Sequence, residues 1–198
     1  FLKIAGHDRF DDVMAGLDRA LEHDLKAVKV NAVLLRDSVE DGFKGWSDFV
    51  RKRPVTVRFI ELMRTLDNAE FFADQHVSGD VLRAWLERNG WTQKPRGIDD
   101  GPAIEFTHPD YAGRIGLIAP YSKGFCESCN RLRVSAKGKM KLCLFGSGGL
   151  DLRDLLQSDD RIEEFQARVL TSLGQKPEAH RLSVSNPGDT MNLAQTGG

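Results

Sequence analysis

No apolar run in this chain is long enough to span a bilayer, and its opening residues do not read as a signal peptide. Excess charge of either sign is also missing. Twenty-nine acidic residues nearly cancel 28 basic ones, for a net charge of -1, so neither nucleic acid nor a membrane surface is an expected partner. Cysteine is scarce: the three present, Cys126, Cys129 and Cys143, are too few and too clustered for a secreted disulfide framework. That pattern predicts a reducing compartment and a cytoplasmic location. The fourth cysteine that would close an all-thiolate zinc site is absent. An initiator methionine is absent too; FLKIAGHDRF leads straight into a helical pattern, and the chain is expected to be a piece of something longer.

What is there suits an ordinary globular protein of 198 residues, enough for one large domain or two small ones. Val13, Met14, Leu17, Ala20 and Leu21 recur at helical spacing and predict a helix over 11–24. The β-branched run AVKVNAVLL (27–35), a helix around 46–51 stopped before Pro54, and the strand pattern VTVRFIELM (55–63) read as a βαβ unit with parallel strands. A helix near 81–89 follows. Beyond Gly90 the texture changes to short strands, AIEFTH and GRIGLIAP, separated by turn residues. This places a boundary after residue 97, between domains 1–97 and 98–198. A helix over 160–173, with Ile162, Phe165, Val169 and Leu170 on one stripe, is closed by Gly174 and Pro177. From Ser185 onward the chain offers little apolar area to offset ordering, which predicts disorder.

The chemistry is concentrated in GFCESCNRLRVSAKGKMKLCLFG, residues 124–146. RLRVSA and MKLCLF alternate, and a three-residue loop Lys137-Gly138-Lys139 would join them as a hairpin. That register sets Ala136 opposite Met140 and Cys143 opposite Arg133. It leaves one face apolar and puts Arg131, Arg133 and Cys143 on the other. If the CESC loop folds over that face, three thiolates meet beside two guanidiniums, whose paired forks suit a compact polyanion. A thioredoxin-like redox pair is disfavoured by the third cysteine and by the lack of a helix start after the motif. Spacing leaves two metal readings nearly even. One is a zinc site completed by His108 or Asp110; the other is an iron–sulfur cluster whose three cysteines leave one iron open to substrate.

Cys126-x2-Cys129-x13-Cys143 enclosing NRLR resembles the GTP 3′,8-cyclases, the radical SAM family that begins molybdenum-cofactor biosynthesis. So do VKVN (28–31), RFIELM (58–63), DGP (100–102), HPDYAG (108–113) and the terminal Gly197-Gly198. The resemblance implies an α/β fold: part of an incomplete TIM-like barrel over 1–97, then a small α+β substrate-cluster module over 98–198. It implies a lyase converting GTP to 3′,8-cyclo-GTP, with a [4Fe-4S] cluster on Cys126, Cys129 and Cys143 whose open iron binds guanine. Arg131, Leu132, Arg133 and Lys29 match GTP contacts, Met63 a contact to S-adenosylmethionine, and Gly197 and Gly198 a tail entering the active-site cavity. A second [4Fe-4S] cluster and S-adenosylmethionine need a CxxxCxxC motif that these residues lack, so the chain alone is expected to be inactive. Cyclic pyranopterin monophosphate synthase would act downstream. The uncovered strand edges of a half barrel predict a homodimer. On β alternation Lys29 and Asn31 share the polar, lumenal face of their strand. The bland alternative pairs Lys29 with Glu61. Arg58 and Glu61 lie on opposite faces, each a candidate site residue. The alternative from another class is a zinc-stabilised three-cysteine binding module without chemistry. FGSGG (145–149) is expected to be a simple turn rather than a phosphate cradle.

Overall fold

The computed structural model describes residues 1–39, 42–97, 101–127, 129–180, 182 and 187–193. In chain order the helices are α1 (Leu2–Ala5), α2 (Phe10–Glu22), α3 (Lys44–Arg51), α4 (Ala69–Gln75), α5 (Gly79–Arg88) and α6 (Ile162–Leu173). The strands are β1 (Val28–Leu34), β2 (Val55–Glu61), β3 (Thr92–Gln93), β4 (Ile104–Thr107), β5 (Arg114–Ile118), β6 (Arg133–Val134), β7 (Lys139–Lys141) and β8 (Leu150–Asp151). They fall into two compact units. One comprises Phe1–Val33, Val39–Ile60 and Asp80–Ile118; the other comprises Leu34–Ser38, Glu61–Gly79 and Ala119–Gly198.

The first unit is built on a mixed sheet of order β1-β2-β5-β4-β3. β2 and β5 run parallel with Arg58 opposite Gly116, while β4 is antiparallel to both β5 and β3. Side chains alternate across such a sheet, and the two faces differ sharply. Val57, Phe59, Phe106, Ile115 and Leu117 make a closed apolar face, and Phe43, Val50, Leu82, Leu86 and Trp91 of the same unit are buried as well. Phe59 meets the rings of Phe43 and Trp46 edge-on at 5.7 and 5.3 Å, which seats α3 on that face. Gly113 explains one of the glycines: a Cβ there would stand 2.5 Å from the carbonyl oxygens of Arg53 and Val55. Its N–H instead donates to Val50 O at 2.9 Å, tying the start of β5 to α3.

The expected helices and strands of this unit are present, α3 and α5 each starting two residues earlier than the periodicity suggests. Two strands assigned by texture to the second domain, β4 and β5, hydrogen-bond into the first unit's sheet. α4 was not anticipated. It is seven residues long, too short for a helical period to stand out.

In the second unit β6, β7 and β8 form an antiparallel sheet. Met140, Leu152 and Leu155 are its buried centre, with Leu142, Leu150, Phe165 and Val169 packed against them. α6 therefore docks through Phe165 and Val169, while Ile162 and Leu170 of the predicted stripe stay exposed. The hairpin register differs from expectation: Arg133 faces Lys141 and Val134 faces Met140. The loop is Ala136-Lys137-Gly138, closed by Ser135 N–H donating to Lys139 O at 2.8 Å. Gly138 sits at φ 72, the left-handed position that such a loop requires last, not in its middle. The pairing thus moves by two residues. An even shift keeps every side chain on its expected face but changes its partner.

Candidate functional site

On the second face of the first unit's sheet lie the polar residues. Lys29 is exposed on β1, on the same side as Asn31, as alternation required, and makes no ion pair among the described residues. Asn31 Oδ1 accepts from Arg58 Nε at 2.9 Å. Arg58 passes over Gly116, where a Cβ would come within 3.1 Å of its Cγ. Further along the face Arg114 Nη1 meets Glu105 at 3.3 Å. Cationic groups at Lys29 and Arg58 make this face a candidate anion-binding surface.

Glu61 lies on the other side of β2 and is 2% exposed. Its carboxylate meets His76 Nε2 at 2.9 Å; the pairing weighed for it with Lys29 is not made. The His76 ring stacks on Phe72 and packs edge-on against Tyr121. Burial raises the Tyr121 hydroxyl above its ordinary pKa and the charge of Glu61 adds to that, against the N–H of Arg64, which donates to the phenol oxygen at 2.9 Å. Met63, just beyond β2, is half-buried, and its carbonyl accepts from Asn68 Nδ2 at 2.9 Å. His108 and Asp110 belong to the first unit. The His108 ring packs on Trp91 and Tyr111, and its Nδ1 accepts from the Asp110 N–H.

The three thiols are all in the second unit. Cys126 and Cys143 are half-buried and Cys129 is exposed, all three free of disulfides. The turn holding the first two is closed by Cys129 N–H donating to Cys126 O at 3.0 Å, and no helix follows it before β6. The convergence expected of them is not seen: among the described residues no three His, Cys, Asp or Glu side chains are grouped to hold a metal ion. The register is part of the reason. Arg133 is opposite Lys141, so Cys143 lies two residues beyond the paired strand. Arg131 and Arg133 are half-buried, whereas Leu132 and Val134 on the apolar side are 38% and 55% exposed. β6 is a sheet edge, so Met140 beneath it is covered by β8 and α6 instead.

Donors surround the sulfurs. The His180 backbone N–H points to Cys126 Sγ at 3.5 Å. Lys176 Nζ donates to the Cys129 and Arg131 carbonyls at 2.8 and 3.1 Å and lies 3.8 Å from Cys129 Sγ. The His180 ring meets Phe145 edge-on at 5.6 Å and Phe125 at 6.1 Å. Its Nδ1 accepts the Leu182 N–H at 3.1 Å, which leaves the proton on Nε2. That Nε2 is buried with no hydrogen-bond partner among the described residues. Burial pushes the ring's pKa down, against the carbonyl of Pro120. Beside Cys143 a cavity of about 500 Å³ is lined by Lys141, Leu142, Gly146, Ser147, Gly149 and Gln175, among others.

Lys176, His180 and Asp189 were not singled out in the sequence. Their signal was faint: a basic residue and a histidine in KPEAH, after the last helix, with no period to mark them. Asp189 falls in the segment expected to be disordered. Instead, the described residues 187–193 are tied down, and Thr190 is 2% exposed. Gly197, Gly198 and Asp100 of the DGP motif lie outside the described residues. No helix among the described residues is long and apolar enough to cross a membrane.

Comparison with known proteins agrees with the resemblance read from the motifs. The chain is 50% identical over 198 residues to the GTP 3′,8-cyclases of Pasteurella multocida (strain Pm70) and Haemophilus influenzae (strain 86-028NP). Each match covers 100% of this chain and 59% of the relative, so the chain spans well under two thirds of those proteins. Residues 55–182, which include the polar face of β2, all three cysteines, Lys176 and His180, match the family described as Molybdenum Cofactor Synthesis C, and the chain belongs to that family.

Proposed function

We propose that this chain is the substrate-holding part of a GTP 3′,8-cyclase, an enzyme of molybdenum-cofactor biosynthesis. In this reading the two units belong to an incomplete barrel and a cluster module, and GTP is the substrate. Cys126, Cys129 and Cys143 would hold a [4Fe-4S] cluster, which supplies an open iron as a Lewis-acidic anchor for the guanine. The observation that carries the reading is the set of donors on the sulfurs. The His180 backbone N–H at Cys126 Sγ and the Lys176 ammonium near Cys129 Sγ suit an electron-rich, thiolate-bound centre in their chemistry.

The chain's own residues then divide the work. Arg131 and Arg133 bind and orient phosphate through charge-assisted hydrogen bonds, with the Leu132 backbone between them. Lys29 adds a further cation from the polar face of β1, and Arg58, steadied by Asn31, stands on that same face. Met63 contacts S-adenosylmethionine, which together with a second cluster is held by residues outside this chain. Gly197 and Gly198 form a tail whose lack of Cβ atoms permits close approach to ligand.

The test is anaerobic reconstitution followed by iron, sulfide and zinc analysis. Iron and sulfide in equal amounts, with hyperfine couplings that change when GTP is added, are expected. Stoichiometric zinc in a colourless protein would replace this reading with a zinc-stabilised binding module.

A further inference from the structure

Two groups in the second unit converge on one carboxylate. Lys141 Nζ donates to Asp189 Oδ1 at 2.8 Å, and Gly148 N–H donates to Oδ2 at 2.7 Å. Lys141 is the last residue of β7 and Gly148 lies in the FGSGG loop, so the aspartate bridges both ends of the segment carrying Cys143. Gly148 takes φ 76, a conformation that a side chain rarely adopts, and its N–H is thereby spent on a protein carboxylate rather than on a ligand. Burial raises the Asp189 carboxyl, but the Lys141 ammonium and the Gly148 N–H outweigh it and hold its pKa below the ordinary value.

The residues on either side of Asp189 are fixed as closely. Gly188 lies against Phe145, where a Cβ would come 2.4 Å from the carbonyl oxygen. Thr190 Oγ1 donates to Leu144 O at 2.6 Å. On its other edge the same segment accepts Leu66 N–H at Thr190 O (3.0 Å) and Asp67 N–H at Met191 O (3.3 Å). Residues 188–190 thus hold Leu144, Phe145 and Gly148, all within five residues after Cys143. Polar composition concealed this, because the strap is held by backbone and carboxylate contacts rather than by apolar area.

We propose that Asp189 is the positioning residue for Cys143: its carboxylate locks the 143–149 loop, and so sets where the third thiol stands. The inference rests on the reading of Cys143 as a cluster ligand, but the lock itself does not. In the full-length protein without metal, kept reduced, the lock predicts slow alkylation of Cys143 by iodoacetamide. Asp189→Asn and Lys141→Met should each raise that rate about tenfold, the size expected from losing one charge-assisted contact in a local opening. The Cys126 and Cys129 rates should not change. The double variant should be no faster than Asp189→Asn alone, because that change already removes the Lys141 ion pair. Hydrogen exchange over 187–193 should rise in parallel, and the variants should retain iron less well after reconstitution. If all three thiols speed up together, or if Cys143 and the 187–193 amides are unaffected, the lock is wrong. If the thiol and exchange results hold but wild-type protein takes up no iron, the lock stands and the cluster reading falls.

Discussion

In the first unit Val57, Phe59, Ile115 and Leu117 are sealed between a sheet and two helices, and each is at most 1% exposed. In the second, Met140, Leu152 and Leu155 anchor a small sheet, Leu34, Phe72 and Phe145 are buried elsewhere, and polar latches hold the loops: Asn68 on Met63, Lys176 on the cysteine loop, Asp189 on Lys141 and Gly148. Dense burial gives a rigid platform. A hydrogen-bonded net gives loops that can carry thiols and guanidiniums at the surface, where a ligand can reach them. The division of labour can be broken by treating both units with the same kind of change.

The largest difference should come from truncating core aromatics. Phe59→Ala removes a ring enclosed by Phe43 and Trp46 and is expected to cost about 3–5 kcal/mol. Phe165→Ala, which removes a partly buried ring from the second unit, should cost less than half as much. Urea unfolding measures both, and equal losses would remove the distinction. Next come the crowded glycines. Gly113→Ala would drive a Cβ into two backbone carbonyls of the first unit, where neither α3 nor β2 can yield, for a loss of about 3 kcal/mol. Gly188→Ala meets a similarly close carbonyl at Phe145, but the strap can lift away. It should raise hydrogen exchange over 187–193 and barely move the unfolding midpoint. A large shift in that midpoint would show that the strap belongs to the core.

This contrast also governs how much could be read in advance. The sheet of the first unit was legible because burial imposes a period: AVKVNAVLL and VTVRFIELM alternate, and their polar residues Lys29, Asn31 and Arg58 come out on one face. Alternation also sorted the hairpin into an arginine side and an apolar side, although Leu132 and Val134 on the latter are exposed, while the pairing was not legible. Gly138 takes the last loop position, and nothing in an alternating pattern distinguishes registers two residues apart. The cysteines and arginines announce themselves by type and spacing. His180, Lys176 and Asp189 reach the same loops through one to three hydrogen bonds each across long sequence separations, which leave no periodic trace. The strap was expected to be disordered because apolar area was the only stabiliser counted.

Arginine truncation tests the other half of the comparison, that the second unit spends its residues on ligand rather than on stability. Arg131→Ala and Arg133→Ala should each weaken GTP binding to the reconstituted full-length protein by about 1.5–3 kcal/mol, measured calorimetrically. Both side chains are half-buried beside a strand edge, so unfolding should change by less than binding does. Equal losses for guanosine and GTP would mean that neither arginine reads phosphate.

The smallest effect concerns a buried polar point in the second unit. Tyr121 receives the Arg64 N–H at 2.9 Å and packs on His76 and Phe72. Burial raises its pKa above the ordinary 10.0. A group whose folded pKa is raised contributes stability that is present in full below its unfolded pKa, and loses it as the pH climbs through the folded value. Stability should therefore be flat with respect to this residue at neutral pH and should decline only above about pH 10. Phenolate absorbance followed against pH should show an ionisation above the ordinary range that vanishes in Tyr121→Phe. That variant leaves the Arg64 N–H without its acceptor and should cost about 1 kcal/mol at neutral pH. A wild-type phenolate titration with no such late component would mean that water reaches the ring. The latches of the second unit would then be weaker than their geometry implies, because hydrogen bonds open to water contribute least.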